Sequence, residues 1–245
     1  MPEPSDLHVV LGASGGIGNA LVRELAARGR RVRAVDRGGT APVPADVEVR
    51  AADVATRDGA AHACADAAVV YHCAQPAYAR WRQEFLPMTR AVLHGAATAG
   101  ARLVLADNLY MYGPVDRPMT EDLPYAATNP KGRVRAEMAE LLLAAHRSGA
   151  ARATMGRAAH RPPVPRAGLP AARPARQARR RQPRPAARAG LFVPPLRQLG
   201  ETWYQRERPF VMDATRFERA FGPLPATPHD QAVAATLDWF RRRPR

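Results

Sequence analysis

Apolar and polar positions along the first half of the chain fall into two alternating patterns. Leu7-His8-Val9-Val10-Leu11 is a short apolar run that ends on glycines, the form of a buried parallel strand. Residues 17–28 place Ile17, Leu21 and Leu25 near helical spacing. Residues 31–36 alternate as a second strand, 47–50 as a third and 67–71 as a fourth. Residues 81–99 predict a long helix, and 102–106 a fifth strand. A further long helix holds residues 137–146, with Met138, Leu141, Leu142 and Ala145 on one stripe. Such alternation predicts an α/β fold, a doubly wound parallel sheet covered on both faces.

The pattern then stops. Residues 157–188 contain 10 Arg, 9 Ala and 7 Pro, with no acid and no aromatic. Two aliphatics larger than Ala and frequent Pro cannot build a packed element. Order returns at Gly190, with Leu196, Leu199 and Trp203 on one helical face. Residues 209–212 predict a short strand, and Asp213 a cap for a helix ending at Phe221 before Gly222-Pro223. Thr227-Pro228-His229-Asp230 opens a closing helix that carries Val233, Leu237, Trp239 and Phe240. The expected organisation is an α/β domain over 1–156, a disordered segment over 157–189, and a C-terminal helical part over 190–245.

Composition changes this picture in one respect. Of 245 residues, 37 are Lys or Arg against 22 Asp or Glu, a net charge of +15. That balance would ordinarily point to nucleic acid or an anionic surface. However, 36 of the basic residues are Arg, 50 residues are Ala, and only one is Ile. Codon bias in a GC-rich gene accounts for much of this. Removing the ten Arg of 157–188 leaves +5. Three readings of that stretch stay open: a phosphate-binding arm, a tolerated loop, or a product of out-of-frame translation. The last is favoured, and nucleic acid is not the expected partner, because no aromatic is interleaved for base stacking. The start has no basic region and no run approaches 18 apolar residues, so neither a secretory signal nor a membrane span is expected. Cys64 and Cys73 form no disulfide framework or metal-ligand spacing, so no metal is expected and the cytoplasm is the expected location.

The chemistry begins at Gly12-Ala13-Ser14-Gly15-Gly16-Ile17-Gly18, between the first strand and first helix. Gly12 suits the tight turn, Gly15 the approach of backbone to a pyrophosphate, and Gly18 the packing of helix on strand. The helix start adds N–H donors and a positive dipole end. Asp36 follows Gly18 by 18 residues, near the spacing of about 20 for a carboxylate that binds ribose. Asp36 favours NAD; Arg37 beside it would grip the extra phosphate of NADP, or is a solvated loop charge.

These residues, with Ala52-Asp53-Val54, Tyr71-His72-Cys73-Ala74, Tyr112-Gly113 and Lys131, resemble the extended short-chain dehydrogenase/reductases. The resemblance is strongest to the NAD-dependent epimerase/dehydratase group, over about 7–157 and more loosely 190–245. It implies a Rossmann-type doubly wound domain over 1–156 with a reduced C-terminal substrate lobe over 190–245, NAD as cofactor, with NADP as the alternative, and a sugar or nucleotide-sugar carbinol as small-molecule substrate. A homodimer is implied only through the same resemblance. Asp53 and Val54 would touch adenine, unless Asp53 simply caps a helix. Ala74 would lie along the cofactor, or pack plainly. The group works through a Tyr-x-x-x-Lys pair. Lys131 matches the Lys and would hold the nicotinamide ribose, or is a solvated helix-start residue. Four residues earlier stands Ala127, which has no proton to move. Asn108 stands where a Ser or Thr usually assists, and would polarise the substrate oxygen. Tyr125, or Tyr110, would substitute for the missing acid/base, or serves packing. Tyr78 and Trp81 would line the substrate pocket, or belong to the core. The alternative to an enzyme is an NAD(P)-binding protein without activity, or the inactive product of a disrupted frame.

Overall fold

The computed structural model describes residues 5–157, 200–223 and 227–241. Six strands form one parallel sheet: β1 (His8–Leu11), β2 (Val32–Asp36), β3 (Glu48–Ala51), β4 (Val69–His72), β5 (Arg102–Asp107) and β6 (Arg152–Arg157). Their order is β3-β2-β1-β4-β5-β6, so the winding reverses between β1 and β4. This is the α/β architecture expected from the strand and helix alternation.

Period-two alternation distributes the sheet's side chains to two cores. Val9 and Leu11 pack with α2 (Arg57–Cys64), α3 (Trp81–Thr98) and α4 (Pro130–Arg147). Val10 points the other way, into a cluster with Val22 and Leu25 of α1 (Gly16–Ala27). A third cluster, around Leu109, Met111, Tyr112, Met119 and Leu123, lies beyond the end of β5. The chain's small residues permit close approach where large ones are scarce. A Cβ on Gly95 of α3 would stand 2.6 Å from the Ala60 carbonyl of α2.

Among the elements of residues 5–157, helix α2 and strand β6 went unread in the sequence. Helix α2 buries only Ala60, Ala63 and Cys64, and β6 is Arg-Ala-Thr-Met-Gly-Arg, with no large aliphatic run. Both are made by packing and by pairing, β6 through its full register with β5. The strand expected at 209–212 is reduced to one parallel bridge, Met119 to Met212. Met119 donates to the Val211 carbonyl at 2.8 Å and accepts from Asp213 N–H at 2.9 Å.

Among the described residues after 200, helices α5 (Tyr204–Glu207), α6 (Thr215–Phe221) and α7 (His229–Arg241) follow. Asp213 accepts from Thr215 N–H at 2.9 Å one residue before the cap position of α6. The expectations for 158–189, and the face shared by Leu196 and Leu199, lie outside the described residues.

Candidate functional site

The carboxyl ends of β1 and β4 part where the winding reverses, and a cleft of about 610 Å³ opens there. Its floor is the turn from β1 into α1. Gly12 has φ +82, and a Cβ on it would meet Ala74 backbone at 2.6 Å. A Cβ on Gly18 would fall 2.3 Å from the Gly12 carbonyl oxygen. Gly12, Ser14, Gly15, Gly16, Ile17 and Gly18 all line the cleft. Ile17 leaves 57% of its surface exposed, an apolar side chain facing open space at the helix start. Gly15, the cap residue of α1, makes no side-chain cap, so the first-turn N–H groups remain available to an anion.

The far wall is set by the ends of β2 and β3. Asp36 and Arg37 line it together, and Asp36 Oδ1 accepts from Thr40 N–H at 3.1 Å. Asp53, Val54 and Ala74 also line the cleft. Asp53 is not the cap of α2; Thr56 is, accepting from Gly59 N–H at 3.0 Å. Asp53 instead accepts from Ala55 N–H at 3.1 Å in the turn before it. Val54 is buried in the first core cluster and presents only an edge. Cys73 lines the cleft too, and burial pushes its thiol up to about 11, so it stands as a neutral side chain near neutral pH.

A second pocket, of about 240 Å³, adjoins this cleft across the segment from Ala77 to Arg80. Tyr78, Trp81, Lys131 and Glu201 line it. Trp81 is 4% exposed, so it is a core residue with one edge on the pocket. Lys131 stands in the first turn of α4, where Asn129 caps the helix by accepting from Gly132 N–H at 2.7 Å. Its side chain is buried, with Nζ 3.3 Å from Glu201 Oε1 and 4.4 Å from the centre of the Tyr78 ring. The structure therefore unites Lys131 with Tyr78 and Trp81, but in this pocket rather than in the cleft.

Other expected partners lie elsewhere. Asn108 Oδ1 accepts from Tyr110 N–H at 3.0 Å and closes a local turn. Tyr125 packs edge-on to Tyr112 at 5.6 Å in the third cluster. Ala127 precedes α4, gives its N–H to the Met111 carbonyl at 3.0 Å, and faces Gly132. One turn along α4 from Lys131, Arg135 is 1% exposed and pairs with Asp107 at the end of β5, 3.0 Å away. Its guanidinium also stacks on Trp81 and Phe85 at 4.4 and 4.2 Å.

A model of the NAD dependent epimerase/dehydratase family matches residues 8–161. The chain belongs to that family. Among solved structures, MoeE5 in complex with UDP-glucose and NAD is 30% identical with a TM-score of 0.52, covering 61% of this chain and 52% of its own. A short-chain dehydrogenase/reductase superfamily protein from Agrobacterium tumefaciens with bound NAD is 28% identical, with a TM-score of 0.52 over 61% and 48% of the two chains. A UDP-galactose 4-epimerase is 26% identical, with a TM-score of 0.55 over 61% and 54%. The chain thus spans about half the length of these structures. A search of curated proteins returns no match.

Within this epimerase/dehydratase-family chain, two site residues escaped the sequence reading. Glu201 carries no local signal, because its partner Lys131 is 70 positions away. Arg135 is one of 36 arginines, and only its burial distinguishes it. Among the described residues, no helix is long and apolar enough to cross a membrane, and no group of His, Cys, Asp or Glu could hold a metal.

Proposed function

We propose that this chain binds NAD in the cleft between β1 and β4 and acts as an oxidoreductase on a carbinol of a nucleotide sugar. The observation that carries the reading is the glycine floor: a Cβ at Gly12 or Gly18 would strike the chain's own backbone, so only glycine lets the turn and the start of α1 close up beneath the cleft. The relatives support it, since MoeE5 was solved with UDP-glucose and NAD.

In this reading Gly15 admits the pyrophosphate, Gly12 and Gly18 close the turn beneath it, and the N–H groups at the start of α1, with Ser14 and Gly16, bind it. Ile17 covers an apolar part of the cofactor. Asp36 accepts from the ribose hydroxyls, with Arg37 at the rim, while Asp53 and Val54 flank the adenine and Ala74 lies beside the cofactor. NAD supplies the hydride exchange when bound. The Asp36 carboxylate repels a further phosphate on that ribose, which disfavours NADP.

Fluorescence titration of the purified protein tests this. NADH is expected to bind about tenfold or more tightly than NADPH, a difference of about 1.4 kcal/mol, and Asp36→Ala to close that gap. Binding of neither cofactor would overturn the reading.

One observation favours a second reading, a cofactor-binding protein without turnover. Ala127 has no ionisable group and lies outside α4. That reading predicts tight NAD binding and no reduction of NAD when UDP-glucose is added.

A further inference from the structure

The missing phenol at 127 leaves a question of which side chain near Lys131 can take a proton. Candidates can be sorted by what already holds them. Burial pushes the Tyr78 phenol up, which makes it slower to release and weaker at giving a proton near neutral pH. Arg135 stays charged, and its guanidinium is committed to Asp107 and two aromatic faces. Tyr125 belongs to the cluster around Tyr112.

Glu201 is different. Its Oε1 is held 3.3 Å from Lys131 Nζ. Its Oε2 is buried and, among the described residues, has no hydrogen-bond partner. A buried carboxylate oxygen without a donor is held at a cost in free energy. The Glu201 side chain keeps 28% of its surface exposed and lines the pocket, and a ligand hydroxyl entering between it and Lys131 would supply that donor. The ammonium beside it would also stabilise an alkoxide forming at the same place.

We propose that Glu201 is the acid/base of the reaction and that Lys131 is its charge partner, in place of a tyrosine on α4. This rests on the oxidoreductase reading above. In the oxidising direction, the carbinol O–H breaks and its proton bonds to Glu201 Oε2. The C–H on the same carbon breaks with its electron pair, which passes as hydride to oxidised nicotinamide, and a C=O forms. In the reducing direction, protonated Glu201 returns that proton to the oxygen as hydride returns to carbon. The Lys131 side chain, 3.3 Å from Glu201 Oε1, compensates whichever oxygen is negative. The site is then completed from the segment after residue 199, far from the cofactor turn in sequence.

The test uses the full chain with NAD and UDP-glucose as the probe. Single-turnover reduction of bound NAD, followed by nicotinamide absorbance, should fall about 10²–10³-fold in Glu201→Gln, with NAD affinity within about twofold of the parent. Glu201→Asp should retain an intermediate rate. A second readout needs no turnover. Lys131 is the sole lysine, and its side chain is 7% exposed. Labelling at residue 131 by an amine-selective reagent, mapped by peptide mass, should accelerate severalfold in Glu201→Ala. A Glu201→Gln rate within about threefold of the parent would overturn the proposal, as would unchanged labelling. A parent that binds NAD and never reduces it with UDP-glucose would also overturn it. Failure of the parent to bind NAD is a failure of the preceding reading, and the titration alone reveals it.

Discussion

At the residue scale, the glycines of the first turn are not equivalent. Gly12 combines a positive φ with contact against Ala74, so Gly12→Ala is strained in backbone and blocked in space. Its expected effects are a loss of NAD binding by about 100-fold or more and destabilisation of about 1–3 kcal/mol. Gly16 is the internal control, because a Cβ there meets nothing within 4 Å and the residue already sits in α1. Gly16→Ala should leave thermal stability unchanged or slightly raised, since Ala is favoured over Gly in a helix by about 1 kcal/mol. Paired thermal melts and NADH titrations of the two variants check both statements. The spacing of these glycines was legible because the motif is local and each glycine serves the same few residues. Lys131 was legible as unusual, but its neighbours were not. Counting four residues back from it finds Ala127, whereas the helix that carries Lys131 begins at Pro130.

At the element scale, light side chains bring helices together where a larger core would hold them apart. Helices α2 and α3 meet at Gly95 and Ala60. Gly95→Val would drive a side chain into the Ala60 carbonyl, and overpacking of this kind costs about 1–3 kcal/mol. A urea titration should show a lower midpoint with an unchanged slope, because the same surface is still exposed on unfolding. An unchanged midpoint would mean that α2 moves aside freely. Apolar runs and period-two alternation made β1 to β5 visible along the chain. Helix α2 and strand β6 were not, because Ala and Gly carry little periodic signal although they pack well. Helix α4 is tied to the sheet by Arg135 and Asp107, a pair no periodicity reports.

At the scale of the whole molecule, acid sensitivity should be concentrated in one buried imidazole. His72 is 1% exposed at the end of β4, and neither ring nitrogen has a hydrogen-bond partner among the described residues. Burial, with a smaller contribution from the Arg135 charge, lowers it from 6.5 to about 3. The folded state therefore holds His72 neutral, while the unfolded chain takes up a proton below pH 6.5. Its contribution to stability is complete above that pH and is lost as pH falls towards about 3. Between about pH 6.5 and 4.5, before carboxylates dominate, stability should fall by up to about 1.4 kcal/mol per pH unit. His8, also lowered by burial, adds a smaller part of the same sign. Denaturant titrations across that range should show most of the slope disappearing in His72→Leu; a slope unaltered by that change would place the proton uptake elsewhere.

The amino-acid sequence by itself determined the alternating α/β order, the glycine turn and the acidic residue that follows it. Each of these depends on neighbours within a few residues or on a fixed spacing along one unit, so linear order contains the information. Tertiary structure alone decided that Glu201 meets Lys131, that Arg135 meets Asp107, and that Tyr125 belongs to a separate cluster. Those pairings join residues up to 70 positions apart, and electrostatic partnership depends on distance and burial rather than on position in the chain. The basic total shows the same division. Its +15 is a property of composition, whereas Arg135, one arginine among 36, is distinguished only by where folding buries it.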